Sequence, residues 1–135
     1  MRNQQDKSMK VAIAGMGAIG RKIAKALDDG IPGMALEAVA VGNPQKAGEF
    51  LTGLKRPPRV LALNALAQHA DIVIESAPAA FLRELAEPVL QAGKDLVILS
   101  VGALLLNEDL IELAKAHGAK IHIPTGALIG LDAII

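Results

Sequence analysis

Three glycines near the amino terminus have the spacing that phosphate binding requires. They form the pattern G-x-G-x-x-G at Gly15, Gly17 and Gly20, between a short apolar run and an amphipathic segment. In such a loop the first glycine permits a tight turn, the second lets a pyrophosphate approach the backbone, and the third lets the following helix pack closely. The helix N-terminus would offer free N–H groups and positive dipole charge to the phosphates. We therefore predict that residues 15–20, the glycine loop, bind a dinucleotide; a glycine turn needed only for packing is the alternative.

The residue expected to bind the adenosine ribose is not the usual acid. An Asp or Glu about 20 residues after the glycines normally holds the ribose 2′-hydroxyl of NAD. Here residues 41–44 read VGNP, with Asn43 at that place and Lys46 shortly after it. Asn43 can hydrogen-bond a ribose hydroxyl without repelling a 2′-phosphate, so we predict NAD or NADP with weak discrimination. In the alternative interpretation Asn43 only begins a turn before Pro44.

Two later turns are expected to face the nicotinamide half of the dinucleotide. Residues 75–78 (ESAP) and 100–103 (SVGA) each follow a strand-like run, and ligands of open α/β sheets lie across the carboxyl ends of the strands. Small residues leave room for a ring, and Ser76 and Ser100 could form hydrogen bonds; Ser76 could instead be a helix N-cap. We expect Glu75 to bind backbone N–H groups or a ribose rather than to act as a base. The predicted cofactor contacts here are Ser76, Ala77, Pro78 and Ser100.

The sequence contains no other pattern that indicates catalysis or metal binding. We assign structural roles to His69 and His117, which lie near predicted helix ends where the dipole favours them, and His122 has no second ligand nearby in sequence. There is no Cys, and no Ser/His/Asp set, H-E-x-x-H motif or carboxylate pair. The basic cluster at 55–59 (KRPPR) is interpreted as a solvated loop rather than a phosphate clamp. We predict a cofactor site without a catalytic or metal-binding residue.

Strand-like and helix-like segments alternate along the whole chain. Strands are predicted over 9–14, 36–41, 59–61, 70–75, 96–99 and 120–123, and helices over 18–29, 44–54, 63–69, 78–91 and 108–117. Such alternation predicts an α/β, doubly wound parallel sheet of about six strands, the Rossmann fold. The 52% hydrophobic content with two Phe and neither Tyr nor Trp suits buried parallel strands. We expect a flexible tail (1–8), one dinucleotide-binding domain (9–125), and an apolar segment (126–135) that begins a missing second domain or forms an interface.

Composition excludes several other classes of protein. The 14 Lys and Arg balance the 14 Asp and Glu, whereas nucleic-acid binders usually have a basic excess. Disordered chains combine low hydrophobicity with high net charge, and no stretch here reaches the roughly 18 apolar residues of a membrane span. Residues 1–8 lack the apolar core of a signal peptide. We expect a cytoplasmic homo-oligomer whose partners are the dinucleotide and, given a second domain, an amino acid.

Four stretches make the chain resemble the N-terminal domain of L-aspartate dehydrogenases. They are VAIAGMGAIGRKIAKAL, DIVIESAPAA, GKDLVILSVGAL and HIPTGALIGLDAI, and they span nearly the whole chain. The first is generic to dinucleotide folds, and the last two are more specific; homoserine dehydrogenase domains are similar but more distant. The resemblance implies oxidative deamination of L-aspartate through iminoaspartate with NAD or NADP, the product hydrolysing or entering NAD biosynthesis.

The resemblance also implies particular cofactor contacts. Matching positions are Gly17, Ala18, Ile19 and Gly20, the 76–78 turn and Ala127, while Asn43 stands where many relatives have Asp. The family's catalytic His and a cofactor-binding Asn follow the last matched stretch, so we expect this chain alone not to oxidise aspartate. The alternatives are a stand-alone, non-catalytic dinucleotide-binding module and the cofactor domain of another two-domain dehydrogenase, of the homoserine or dihydrodipicolinate type.

Overall fold

The computed structural model describes residues 8–124, and its strands follow the alternation predicted from the sequence. The six strands are β1 (Met9–Ala14), β2 (Met34–Ala40), β3 (Arg59–Val60), β4 (Ile72–Glu75), β5 (Asp95–Ile98) and β6 (Ile121–His122). They form one sheet in the order β3-β2-β1-β4-β5-β6, and every neighbouring pair is parallel. The chain therefore winds outward from β1 in one direction and from β4 in the other. The predicted segment 126–135 and most of the predicted tail lie outside the described residues.

Helices cover both faces of this sheet. They are α1 (Ala18–Gly30), α2 (Pro44–Thr52), α3 (Leu82–Gln91), α4 (Val101–Leu105) and α5 (Asp109–His117), with 3₁₀ segments at Leu63–His69 and Ala79–Phe81. One core cluster joins α1 and α2 to the sheet, and the other joins α3, α5 and the first 3₁₀ segment to the opposite face. The predicted doubly wound α/β fold is confirmed. None of the helices in residues 8–124 is long and apolar enough to span a membrane.

Two helix predictions need correction, and one helix was not predicted. The helix predicted over 63–69 is a 3₁₀ segment. The helix predicted over 78–91 is a 3₁₀ turn followed by α3, and Pro78 precedes the turn with extended backbone (ψ 143°) instead of beginning a helix. Helix α4 was not predicted, because its five residues belong to an apolar run too short to show a helical period. In the observed structure, the turns between β4 and α3 and between β5 and α4 both lie at the carboxyl edge of the sheet.

Alternation along β1 explains how this strand holds the glycine loop. Val11 and Ile13 are buried against the α1 and α2 face, whereas Ala12 and Ala14 are buried against the other face, as the two-residue period of a strand requires. All four are at most 1% exposed, which is the pattern of a parallel strand covered on both sides. The carboxyl end of β1, and with it the start of the glycine loop, is therefore fixed by packing on both faces.

Candidate dinucleotide-binding site

The first glycine of the loop makes the sharp turn out of β1. Gly15 has φ +99°, a conformation that L residues with side chains rarely adopt, and its N–H donates to the Ala40 carbonyl (2.8 Å). A Cβ at Gly15 would lie 2.6 Å from the Ser76 carbonyl oxygen. Both the turn and the close approach of the β4 exit therefore require glycine, and the predicted tight turn is confirmed.

The second glycine leaves open space at the N-terminus of α1. Gly17 is the N-cap residue, contributes no side-chain cap, and a Cβ there would have no atom within 4 Å. Ala18 and Ile19 in the first turn are exposed as well, and that turn contains no acidic residue. The first N–H groups of a helix lack intrahelical partners, so this end presents donors and a partial positive charge to any anion that approaches.

The third glycine brings α1 against the loop. A Cβ at Gly20 would overlap the Gly15 carbonyl oxygen and lie 3.1 Å from the Ser76 hydroxyl oxygen. The predicted close packing is confirmed. Ile19, in the first turn of α1, is 43% exposed.

An apolar cleft of about 180 Å³ adjoins the glycine loop. It lies at the carboxyl ends of β1, β2 and β3 and beside the turn after β4. Its lining residues are all uncharged: Gly15, Ala40, Val41, Gly42, Leu61, Ala62, Leu63, Ala77, Pro78 and Phe81. A flat ring fits such walls better than a charged group does, because burying an unpaired charge is costly.

Asn43, at the end of the β2 loop, caps α2. Its side-chain oxygen accepts hydrogen bonds from the N–H groups of Gln45 and Lys46, both at 3.1 Å, and Pro44 occupies the first turn. The Asn43 side-chain oxygen therefore has the role that the alternative interpretation gives it, at the turn before Pro44 that begins α2. Asn43 is exposed beside the cleft, and its contact with a ribose stays a prediction.

Arg21 joins the glycine loop to α2, and sequence reasoning missed it. Its Nε donates to the Met16 carbonyl (2.9 Å) and its Nη2 to the Lys46 carbonyl (3.4 Å), while the guanidinium stacks over the Phe50 ring at 5.4 Å. Planar guanidinium groups suit such stacking and forked donation. Nothing local in the sequence indicates these contacts, since α2 begins more than 20 residues after Arg21.

Ser76 holds the glycine loop from the neighbouring strand. Its hydroxyl lies 2.9 Å from the Ala14 carbonyl oxygen and 3.1 Å from that of Gly15, so one hydroxyl proton is shared between two acceptors. The alternative role of Ser76 as a helix N-cap is wrong. The N-cap of the following 3₁₀ turn is Pro78, and that turn has no side-chain cap bond. Direct contact of Ser76, Ala77 or Pro78 with a cofactor stays a prediction.

Glu75 is buried at the carboxyl end of β4. It is 1% exposed, and its Oε1 accepts hydrogen bonds from the N–H groups of Leu99 (2.9 Å) and Ser100 (3.0 Å). The expectation that Glu75 binds backbone N–H groups is confirmed. Its Oε2 is also buried and has no hydrogen-bond partner within the described part of the chain.

The turn after β5 contains Ser100, the remaining predicted cofactor contact that lies within the described residues. Ser100 precedes α4 without a side-chain cap bond and is partly exposed, so its hydroxyl is available at the carboxyl edge and its cofactor contact stays a prediction. Ala127, the last predicted contact, lies outside the described residues.

The basic cluster at 55–59 lies at the opposite edge of the sheet from the glycine loop. Helix α1 returns the chain to that edge, and the Asp28 carboxylate in its last turn accepts from the N–H groups of Lys55 (2.8 Å) and Arg56 (3.0 Å). The hydrogen bond from Lys55, chiefly, lowers the pKa of the Asp28 carboxyl. The cluster is a loop fixed by α1 and does not reach the glycine loop.

The histidines do not form a metal site in the described chain. Residues 8–124 contain no group of three or more His, Asp or Glu arranged to hold a metal ion. His117 lies in the last turn of α5 and His69 in that of the first 3₁₀ segment, while His122 Nε2 lies 3.1 Å from the Asp95 carboxylate. The two helix-end positions confirm the predicted placement.

The sequence model described as "Homoserine dehydrogenase, NAD binding domain" matches residues 15–124. The chain belongs to this family. The match begins at the first glycine of the loop and ends at the last described residue, so it includes the cleft, the β4 exit and the β5–α4 turn. This family consists of NAD-binding domains, in agreement with the Rossmann fold described above.

Within this family, the chain is similar to proteins named L-aspartate dehydrogenase. It is 56% identical over 126 residues to the protein of Bradyrhizobium diazoefficiens, covering 93% of this chain and 45% of that protein. It is 46% identical over 125 residues to L-aspartate dehydrogenase 3 of Bordetella bronchiseptica, covering 92% and 46% respectively. The chain therefore spans a little under half the length of these relatives, and the resemblance predicted from the sequence is confirmed for that half.

Solved structures share the fold at lower identity. Biliverdin reductase from Synechocystis, in complex with biliverdin and NADP+, superposes with a TM-score of 0.77 at 24% identity over 90% of this chain and 39% of that one. Scyllo-inositol dehydrogenase from Lactobacillus casei, with bound NAD(H) and scyllo-inositol, gives 0.71 at 22% identity over 87% and 36%. At this identity the likeness establishes the dinucleotide-binding fold alone.

Proposed function

We propose that this chain is the cofactor-binding part of an L-aspartate dehydrogenase that uses NAD or NADP to oxidise L-aspartate to iminoaspartate. One structural observation carries the proposal: the open space at Gly17, at the N-terminus of α1 and beside an apolar cleft. The similarity to two proteins named L-aspartate dehydrogenase supports the choice of substrate. The residues fit a dinucleotide, because a Cβ at Gly17 would occupy the space that a pyrophosphate needs.

The two halves of the cofactor would lie over different strands at the carboxyl edge of the sheet. The backbone of Gly17, Ala18, Ile19 and Gly20 would hold the pyrophosphate, and the cleft over β1, β2 and β3 would hold the adenosine, with Asn43 near its ribose. The nicotinamide half then lies over β4 and β5, where Ser76, Ala77, Pro78 and Ser100 would surround it. Ala127 would complete the contacts.

The bound nicotinamide ring supplies the hydride acceptor for oxidation at the amino-acid Cα. This chain's own residues bind and orient that ring, and the small side chains of Ala77 and Pro78 leave it room. Glu75 is buried and accepts backbone hydrogen bonds, so we assign it no contact with the substrate. We assign removal of the ammonium proton and recognition of the two substrate carboxylates to no described residue.

The test combines binding with turnover. Titration of the 135-residue chain with NADH and NADPH is followed by nicotinamide fluorescence, which has no background from Trp or Tyr in this sequence. We expect saturable binding of both, and no steady formation of NAD(P)H when aspartate and NAD(P)+ are added. Failure to bind either nucleotide would overturn the cofactor role. Turnover at an enzyme-like rate would show that the proton-transfer groups lie in this chain and would overturn the assignment of catalysis elsewhere.

Asn43→Asp should make the chain selective for NAD. The new carboxylate would lie beside the 2′-phosphate of NADP and repel it, while it could still accept a bond from the ribose 2′-hydroxyl of NAD. We expect NADPH affinity to fall by about tenfold or more and NADH affinity to change little, since one unfavourable charge contact is of that order. Asp is also a good N-cap, so α2 is preserved. A wild-type chain that already prefers NADH by about a thousandfold would show that another group discriminates.

We further propose that the protein acts in the cytoplasm as a homo-oligomer and that its product can enter NAD biosynthesis. These proposals derive from the sequence composition and the resemblance to L-aspartate dehydrogenases. Size-exclusion chromatography with light scattering measures the oligomeric state directly.

A further inference from the structure

We propose that Glu75 is a positioning residue that holds the turn after β5 in place for the nicotinamide half of the cofactor, without touching the cofactor itself. The inference rests on the proposed dinucleotide binding. It assigns a role to a buried carboxylate that neither catalysis nor direct binding uses.

Neighbouring residues at the end of β4 hold opposite halves of the site. The Ser76 hydroxyl bonds back to the carbonyls of Ala14 and Gly15, at the loop that would hold the pyrophosphate. The Glu75 carboxylate bonds forward to the N–H groups of Leu99 and Ser100, at the turn that would lie beside the nicotinamide. The β4 exit thus fixes each loop by a separate side chain.

Packing in the apolar core alone does not account for a carboxylate at position 75. Glu75 faces the apolar core cluster with Val73, two residues earlier on the same strand, and pairs in register with Ile98. Its Oε2 has no partner within residues 8–124, and burying an unpaired polar atom is unfavourable. An apolar side chain would remove the unpaired Oε2 but would leave the Ser100 N–H without its acceptor, so what the carboxylate provides is its bonds to the turn and not its fit to the core.

The Glu75 side chain supplies an acceptor to the turn: it accepts from the Ser100 N–H and shares the Leu99 N–H with the backbone carbonyl of residue 75 (3.3 Å). Ser100 makes no side-chain cap bond to α4, and Glu75 Oε1 holds the chain just before the helix, at the N–H groups of residues 99 and 100. Two bonds to one charged oxygen are stronger than neutral ones, and they fix the backbone of residues 99–100 relative to β4. Loss of this acceptor should loosen the turn beside the nicotinamide and leave the adenosine half undisturbed.

The test compares NADH with ADP-ribose, which lacks the nicotinamide ring. We measure both dissociation constants by calorimetry for wild type, Glu75→Leu and Glu75→Gln, with Ser76→Ala as the matched variant at the other loop. Glu75→Leu should weaken NADH about tenfold, the worth of about one hydrogen bond to a charged group, and change ADP-ribose less than about twofold. Glu75→Gln should keep NADH affinity within about threefold, because its amide oxygen can accept both N–H groups. Ser76→Ala should weaken ADP-ribose as well as NADH, because its hydroxyl holds the glycine loop.

Each outcome decides the proposal. Equal effects of Glu75→Leu on both ligands, no effect on NADH, or a Glu75→Gln variant as weak as Glu75→Leu would overturn it. If Glu75→Leu shows no cooperative unfolding, hydrogen exchange of the wild-type segment 99–103 decides instead. NADH should then slow exchange there and ADP-ribose should not, whereas equal protection by both, or by neither, contradicts the inference. A wild-type chain that binds neither ligand would overturn the proposed function, and this inference with it.

Discussion

Replacing Gly17 with Val is expected to lower the affinity for NADH about a hundredfold or more, which corresponds to the loss of two charged phosphate hydrogen bonds. The Val side chain would extend into the space where the pyrophosphate approaches the N-terminus of α1, since no protein atom lies within 4 Å of a Cβ there. The fold should tolerate the change, because Gly17 is exposed and its φ of −78° is open to any residue. Val is a poorer N-cap than Gly, so we expect the melting temperature to fall by about 4 °C and unfolding to stay cooperative.

Gly48→Val is the matched control for this variant. Gly48 also has open space around a Cβ, but it lies within α2 and does not line the cleft. We expect its NADH affinity to stay within about twofold of wild type, since surface substitutions away from a site change free energies by a few tenths of a kcal/mol. Calorimetry that finds the same NADH affinity for wild type and Gly17→Val would refute the assignment of the glycine loop as the phosphate site.

Gly15→Ala is expected to reduce the free energy of unfolding by about 3 kcal/mol or more, through backbone strain and overpacking together. The added Cβ would lie 2.6 Å from the Ser76 carbonyl oxygen and 2.8 Å from the Ala77 Cα. These are backbone atoms of a buried strand exit, so no rotamer change relieves the overlap. At this chain length the melting temperature should fall by about 10 °C, as measured by thermal unfolding with circular dichroism.

Gly33→Ala separates the two causes. Gly33 also has a positive φ, +81°, but a Cβ there would meet no atom within 4 Å. Its substitution should cost only the conformational strain, about 1 kcal/mol. If Gly15→Ala destabilises the chain no more than Gly33→Ala does, then the close approach of the β4 exit is not what requires glycine at position 15.

The local pattern from β1 into α1 could be predicted with little error. The strand was expected over 9–14 and is Met9–Ala14, and the helix was expected from residue 18 and begins at Ala18. A continuous apolar run stopped by glycine, followed by apolar residues at helical spacing, depends only on neighbours in sequence. The roles of Gly15 in turning and Gly20 in packing followed for the same reason.

The errors occur where local and distant interactions compete. Ser76 has the residue type of an N-cap, but its hydroxyl bonds to carbonyls 61 and 62 residues away. Asn43 has the position of a ribose ligand, and its oxygen also caps α2, because N–H groups two and three residues away are within reach of it; its ribose contact stays a prediction. Helix α4 is too short for periodicity to reveal.

The sequence by itself determined the fold class and the glycine loop, because alternating apolar runs and glycine spacing depend only on residues near one another in the chain. It indicated the family through the resemblance of four stretches. Only the tertiary structure decided what Glu75, Ser76 and Arg21 do. Their partners come from other strands and helices and become neighbours only when parallel strands align their carboxyl ends at one edge. A hydrogen bond depends on positions within a few tenths of an ångström, and such positions are set by packing of the whole sheet rather than by spacing along the chain.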